Sequence, residues 1–578
     1  MPKKLQLQSD GITANTQSAQ SLLKEVENLK KEINQLKSRK RYGLVWEDKP
    51  EQVVDLCKEN LPVLAEDIGK EIKTDNTKPV NILIEGDNYH ALSVLNYTHK
   101  GKVDVIYIDP PYNTGNQSWK YNNNYVDRED SFRHSKWLSF MKRRLSLSKA
   151  LLKEDGIIVV TIDDYEVFGL GLLLDDVFGE NNRIGALIVE NNPRGRTTNT
   201  YFATCHEYYL VYGKNARMSK VENIPLTEEQ VSLFNLQDKI SNYRLLPFRR
   251  SGGLSTPEER PNSHYPIYYN EKAGKIDIDS FPESFAIYPI DTTGRKRVWR
   301  QTRPSLMAAV ERGDMVIKKN KKGNYSVFMK DRIKEGRKPK TIWVNPKYDA
   351  SSNGTVLLQK MLGKAKSFDY PKSLYAVADF LRVFVRSKKN SIVLDFFAGS
   401  GTTGHALMVL NKEDSGDRQF ILCTNNENKV AGEVCYPRLK KVIEGHKDYP
   451  EITHISANLK YFRTDFVEGE PTDKNKKRLV DKSTEMLCLK EDCFEEVNQG
   501  QNFKVFKSNK EKYLGIIYDY DGIEDFKKKV RELNKNFVVY IFSLDESAGE
   551  EEFEDFKSLV ELKPIPAAIL NVYKSIFK

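Results

Sequence analysis

Asp109-Pro110-Pro111-Tyr112 places a carboxylate, a rigid double proline and an aromatic ring at the end of the apolar run Val103–Ile108. Each proline fixes its own φ and removes its own backbone donor, and Pro110 also pushes Asp109 toward an extended conformation. The turn is therefore stiff and rich in acceptors: the Asp109 carboxylate and the bare Pro110 carbonyl. Tyr112 adds a flat face for a planar ring. Such a set suits the grip of an exocyclic amino group by its two hydrogens while its ring lies on the tyrosine. The plainer reading is a strand followed by a proline turn.

A second constellation begins at Asp395. Asp395-Phe396-Phe397-Ala398-Gly399-Ser400-Gly401-Thr402-Thr403-Gly404 follows the strand-like run Ser391–Leu394 and precedes a helical pattern through Ala406, Leu407 and Leu410. Glycines there let the backbone turn tightly and approach a ligand closely. Many such turns bind dinucleotides. No lysine follows the glycines, which excludes a phosphate-cradling P-loop. Two further acids stand at strand ends: Asp87 after Ile82–Gly86, and Glu427 after Phe420–Asn426, where a ribose-binding carboxylate belongs. Each acid taken singly also reads as a solvated strand end.

These residues must be positioned by parallel strands, because ligands of doubly wound sheets bind outside the carboxyl ends of strands at a switch point. The two motifs are 286 residues apart, at 109 and 395. They can still face one crevice if the order of the halves is permuted. The expected fold is therefore α/β, a permuted Rossmann-like sheet interrupted by an insertion. The expected segments are an N-terminal arm with an amphipathic helix (1–41), a catalytic half (42–215), the insertion (216–365), a cofactor half (366–455) and a small C-terminal α/β domain (456–578). Within the arm, Leu22, Val26, Leu29, Ile33 and Leu36 follow a 4-3-4-3 spacing, read either as a helix on its own domain or as a dimer contact.

The chain has 578 residues, 39% hydrophobic and 30% charged, with a net charge of +10, enough length for several domains. It has no apolar run of the ~18 residues a membrane span needs. The start has no signal-peptide core, and the six cysteines have no Cys-x-x-Cys spacing; metal and disulfide readings are poor, and a cytoplasmic setting fits. Charge is concentrated. Between Tyr243 and Asn345 stand 22 Lys plus Arg against 11 Asp plus Glu. Arg249, Arg250, Arg295, Lys296, Arg297, Arg300 and Arg303 lie here, interleaved with Trp299, Tyr325, Phe328 and Trp343. Such a segment suits phosphate contacts and base stacking, against the bland alternative of a solvated surface. Arg194 and Arg196, in the polar loop from Asn191, are candidates for clamping a phosphate or for merely connecting strands.

Asp-Pro-Pro-Tyr resembles the catalytic signature of the amino-methyltransferases of DNA, and Asp395–Thr403 resembles their S-adenosylmethionine loop. The order catalytic half, insertion, cofactor half is that of the β class, whose insertion is the target recognition domain. Tyr42–Trp46, His99–Gly115, Tyr436–Ile443, Asn458–Val467 and Thr484–Cys488 resemble the modification subunits of type III restriction–modification systems, bacterial proteins. The resemblance implies S-adenosylmethionine as cofactor and N6-methylation of a flipped adenine in double-stranded DNA. It makes Asp109, Pro110 and Tyr112 catalytic, and gives the cofactor to Asp87, Asp395, Phe397, Gly399, Gly401, Thr402 and Glu427. It further implies a homodimer and a separate helicase-nuclease restriction subunit, with the C-terminal domain as a possible dock. The rival readings are a stand-alone adenine-N6 or cytosine-N4 methyltransferase, a non-catalytic DNA-binding regulator, and methylation of protein glutamine.

Overall fold

The computed structural model of the chain describes residues 30, 46–122, 124–195, 201–321, 323–363, 368–445, 454–544 and 547–577. The amphipathic repeat at 22–36 and Arg196 lie outside the described residues. Two compact units emerge: residues 1–220 with 341–578, and residues 221–340.

The first unit is built on a ten-stranded sheet. Its strands are β1 (Asn60–Glu66), β2 (Val80–Glu85), β3 (Val103–Ile108), β4 (Leu152–Ile162), β5 (Arg183–Glu190), β6 (His206–Gly213), β7 (Ile342–Trp343), β8 (Ile392–Asp395), β9 (Gln419–Thr424) and β10 (Asn458–Glu468). They lie in the order β1-β10-β2-β9-β8-β3-β4-β6-β5-β7. The six strands from β10 to β4 run parallel; β1 and β6 run against their neighbours. Parallel strands covered on both faces read as continuous apolar runs, and all six side chains of β3 are buried. The one acid among them, Asp104, accepts from the Ile392 amide at 2.9 Å and pairs with Lys153 at 2.7 Å. It thus helps to fix the register of β3 against β8.

That register brings the halves together. Ile106 lies opposite Leu394, so the chain leaves β3 into Asp109 and leaves β8 into Phe397 side by side. The sheet order switches here, with the β3–β4 half to one side and β8–β9–β2 to the other, and the catalytic half comes first in sequence. The fold is the permuted, Rossmann-like sheet.

Two boundaries differ from the sequence expectation. Strand β10, placed beyond the catalytic frame by its sequence, inserts between β1 and β2 and belongs to the central sheet. The compact insertion is narrower than 216–365: Ile342-Trp343 pairs with β5, and the helical segment Ser351–Leu362 follows within the first unit. C-terminal residues form a five-stranded sheet over 495–565, and Leu514, Ile516 and Tyr540 join the core that contains β3. Tyr573 donates to the Pro62 carbonyl at 2.5 Å, tying the last helix to β1.

Residues 221–340 hold a four-stranded and a three-stranded antiparallel sheet around their own core of Phe248, Tyr265, Ile267, Trp299, Leu306 and Val327. Among the described residues, no helix is long and apolar enough to cross a membrane.

Candidate active site

The Asp109–Tyr112 turn is braced from below. Trp137, fully buried on the helix Arg133–Leu151, donates its indole N–H to the Pro111 carbonyl at 2.8 Å. Asn113 takes a left-handed φ of 55°, a conformation asparagine tolerates better than most residues. Its buried amide donates to Glu166 at 2.5 Å and accepts from the Trp119 indole at 2.9 Å. The Pro110 carbonyl enters no hydrogen bond among the described residues.

Asp109 itself is held by one oxygen. Thr161, its neighbour on β4, donates to Oδ1 at 2.6 Å, and the Lys372 ammonium stands 3.0 Å from the same atom. Lys372 also pairs with Glu207 Oε2 on β6 and donates to the Tyr112 hydroxyl. Tyr112 in turn donates to Glu207 Oε2 at 2.9 Å. The Glu207 side chain is 2% exposed and that of Lys372 12%, so the pair is shielded from water, where breaking it is costly. Burial works against the Lys372 charge, but Asp109 and Glu207 outweigh it and hold the ammonium above its ordinary value. Burial, with the same two carboxylates alongside, keeps the Tyr112 phenol well above its usual range.

Across the switch point lies the glycine loop. Gly399 and Gly401 have φ of 49° and 77°. A Cβ on Gly401 would come within 2.9 Å of the Cys435 sulfur, so close packing and backbone angle both call for glycine there. Asp395 Oδ2 accepts from Thr403 Oγ1 at 2.6 Å and Oδ1 from the Phe397 amide at 2.9 Å. Its carboxylate thereby shapes the loop from within. Burial pushes its pKa up to about 7, against those two hydrogen bonds, with Asp109 adding to the rise. Thr402 Oγ1 accepts from the fully buried Arg438 at 2.7 Å, and Arg438 also donates to Ser400 Oγ at 3.1 Å. Arg438 Nη2 is buried without a hydrogen-bond partner behind the loop, and burial lowers the guanidinium's pKa to about 10.

Asp87 caps the helix Asn88–Thr98 by accepting from the Tyr89 amide at 2.7 Å. Asn88 donates to the Phe396 carbonyl at 3.0 Å, which sets this element beside the glycine loop. Phe397 is half-buried against Phe140, ring centroids 5.8 Å apart. Glu427, in the turn after β9, is 41% exposed and 3.7 Å from Lys120. The fold thus joins Asp109, Tyr112, Asp87, Phe397 and the glycines at the carboxyl ends of neighbouring strands. Asp395 and Thr402 have their side chains turned to the loop's own bonds.

Of the basic candidates, Arg194 is exposed in the first unit. In the second, Arg297 is tied to Asp291 at 2.8 Å, Arg250 to the Gly253 carbonyl at 3.1 Å and Arg300 to the Pro247 carbonyl at 2.7 Å; Arg249 donates to the Ile290 carbonyl. Arg295, Lys296 and Arg303 are exposed. The interleaved aromatics need correcting: Trp299 stacks on Phe248 inside the core of residues 221–340, and Trp343 is buried on β7. Neither offers a face to a base.

Sequence reading missed Lys372, Glu207, Thr161 and Trp137. One signal was present: an acid within the otherwise apolar, aromatic run of β6, His206-Glu-Tyr-Tyr-Leu-Val-Tyr212, must be paired if it faces inward.

A switch point flanked by an acceptor turn and a glycine loop defines a doubly wound α/β protein that holds a ligand between its two halves. Residues 103–432 match the DNA methylase family of N6 and N4 type, and the chain belongs to that family. It is 34% identical over 403 residues to the EcoPI Mod subunit, a type III restriction-modification enzyme of Escherichia phage P1; the match takes in 64% of this chain and 61% of that protein. It is 35% identical over 396 residues to the type II methyltransferase M.KpnI of Klebsiella pneumoniae, covering 66% of this chain and 89% of the relative. The StyLTI Mod subunit of Salmonella typhimurium is 28% identical, with 69% and 61% covered.

Proposed function

We propose that the protein transfers a methyl group from S-adenosylmethionine to the N6 amino group of adenine in double-stranded DNA. The observation that carries this is the register of β3 on β8, which sets Asp109 beside Phe397 and the glycine loop. Family membership supports the reading, as do the Mod and methyltransferase relatives.

Adenine N6 is a weak nucleophile because its lone pair is delocalised into the ring. Asp109 Oδ1 is occupied by Thr161 and Lys372, which leaves Oδ2 to accept one amino hydrogen. The Pro110 carbonyl accepts the other. Held so, the nitrogen pyramidalises, its lone pair localises, and the proton it sheds once methylated would pass to Asp109 Oδ2. The target base cannot be reached inside a duplex, so it is extruded and lies on the Tyr112 ring, whose hydroxyl end is anchored by Glu207. Unstacking costs a few kcal/mol, offset by stacking on the tyrosine and by phosphate contacts.

The cofactor, when bound, supplies an electrophilic methyl. The glycine cradle fits it: Gly399 and Gly401 permit close backbone approach, the positive charge of Arg438 behind the loop suits its carboxylate, and Phe397 offers an apolar face. Asp87 would accept from its adenine amine and Glu427 from its ribose hydroxyls. Asp395 and Thr402 act by holding the loop in shape.

Residues 221–340 would recognise the target, through Arg295, Lys296 and Arg303. By its Mod relatives, the protein would serve as the modification subunit of a type III system, as a homodimer that recruits a restriction subunit. Nucleoside mass spectrometry of DNA treated with the protein and tritiated cofactor tests the chemistry. N6-methyladenine is expected; N4-methylcytosine, or no product, would refute it. Light scattering, alone and with a candidate restriction subunit, tests the assembly.

A further inference from the structure

In the chemistry above Lys372 only occupies one oxygen of Asp109, yet it meets three groups of the acceptor turn and its support, Asp109, Glu207 and Tyr112. Its nitrogen stands 3.0 Å from Asp109 Oδ1 and pairs with Glu207 Oε2. It also meets the Tyr112 hydroxyl and lies 4.7 Å from the centre of that ring. Two carboxylates that share one nitrogen as neighbour are close enough to repel strongly. Like charges at such range force one carboxyl to keep its proton, unless a cation stands between them. The other titratable groups facing the cluster are Tyr107 on β3, Tyr112 after it, Tyr209 on β6 and Asp395 on β8. None is a cation. Among the described residues, no ion pair other than that with Lys372 reaches Asp109 or Glu207.

We infer that Lys372 is a positioning residue whose ammonium bridges Asp109 and Glu207, keeps both ionised, and thereby keeps Asp109 an acceptor for the target amino group. A protonated Asp109 would present a donor to an amino group that can only donate, and the grip would fail. The same bridge anchors Glu207, which holds Tyr112 by its hydroxyl. One cation therefore sets both the charge of the acceptor and the position of the stacking ring.

The inference rests on the proposed methyl transfer, and its test separates the two. Single-turnover methylation of duplex DNA is measured across pH for full-length wild type, K372M, K372R, E207Q and K372M/E207Q. In K372M the acid limb of the rate profile should move up by about one to three pH units. Below both limbs this is a loss of about tenfold to a thousandfold. K372R, which keeps the cation, should hold the limb in place. K372M/E207Q, which removes the second carboxylate, should return the limb toward its original position. E207Q alone should move it down, so the test survives if K372M fails to fold.

A lysine that serves only packing would lower the rate by the same factor at every pH, with no restoration by E207Q; that result overturns the bridge. Unfolding of the cofactor-free protein across pH gives a readout without catalysis. In K372M a second carboxyl, besides Asp395, keeps its proton in the folded state, so stability should fall more steeply with rising pH than in wild type, and the E207Q change should return the slope to the wild-type one. A wild type that methylates no DNA would refute the proposed function, while the slope in K372M would still decide the bridge.

Discussion

The Trp137 indole nitrogen donates to the Pro111 carbonyl at 2.8 Å, so a residue on the helix Arg133–Leu151 holds the turn that carries the acceptors. Trp137→Phe keeps most of the ring and removes the donor, leaving a buried carbonyl unpaired. A loss of about 1–3 kcal/mol in unfolding free energy is expected by urea titration. The rate of methyl transfer should fall with little change in cofactor affinity.

Asp109→Ala removes one of the two amino-group acceptors. Methyl transfer should drop at least about a hundredfold, the scale of a positioned proton-handling group. Cofactor binding by calorimetry should persist. Retained transfer in a tritiated-cofactor assay would sink the assignment.

Gly401→Ala introduces a Cβ 2.9 Å from the Cys435 sulfur at a φ of 77°. Strain of this kind costs about 1–3 kcal/mol. The affinity for S-adenosylmethionine should weaken by about tenfold or more, read by calorimetric titration. Unchanged affinity would remove the loop from the cofactor site.

Asp395 gives stability a pH dependence. Its ordinary carboxyl pKa of 3.8 is raised in the folded chain to about 7, so the folded state holds the proton more tightly than the unfolded one. This contribution is fully present below the unfolded value and is lost as pH rises through about 7. Chemical denaturation across this window should show stability falling with pH, and Asp395→Asn should flatten the profile.

Lys296 is exposed in the basic unit, and among the described residues no hydrogen bond engages its side chain as one does those of Arg250 and Arg300. Lys296→Ala should weaken DNA binding about equally for all sequences and reduce the slope of log affinity against log salt by about one. Trp299→Ala should instead unfold residues 221–340, with a core cost of about 3–5 kcal/mol.

What the sequence made legible was local. Asp109–Tyr112 and Asp395–Gly404 are contiguous, so strand, turn and chemistry are written in adjacent residues. Lys372 and Glu207 are 165 residues apart, and Lys372 and Tyr112 are 260 apart. No periodicity within either segment announces a pair that only the sheet creates. Trp299 and Trp343 misled for a related reason, since an aromatic among lysines has the same spacing whether it stacks on a base or fills a core. Strand β10 escaped assignment to the sheet because its partners β1 and β2 lie nearly 400 residues earlier, beyond the reach of any local pattern.

The pairing of β3 with β8 also sets a timetable. At about 5–20 residues per second, the ribosome needs roughly 15–60 s after Asp109 to deliver its partner strand. Through that interval β3 has an open edge facing an absent neighbour, the kind of surface that invites pairing with another chain. Residues 221–340, with a core of their own, can fold while the edge waits. The reacting groups thus meet only after about two-thirds of the chain has been made, and a chain truncated before residue 392 holds an acceptor turn with no glycine loop beside it.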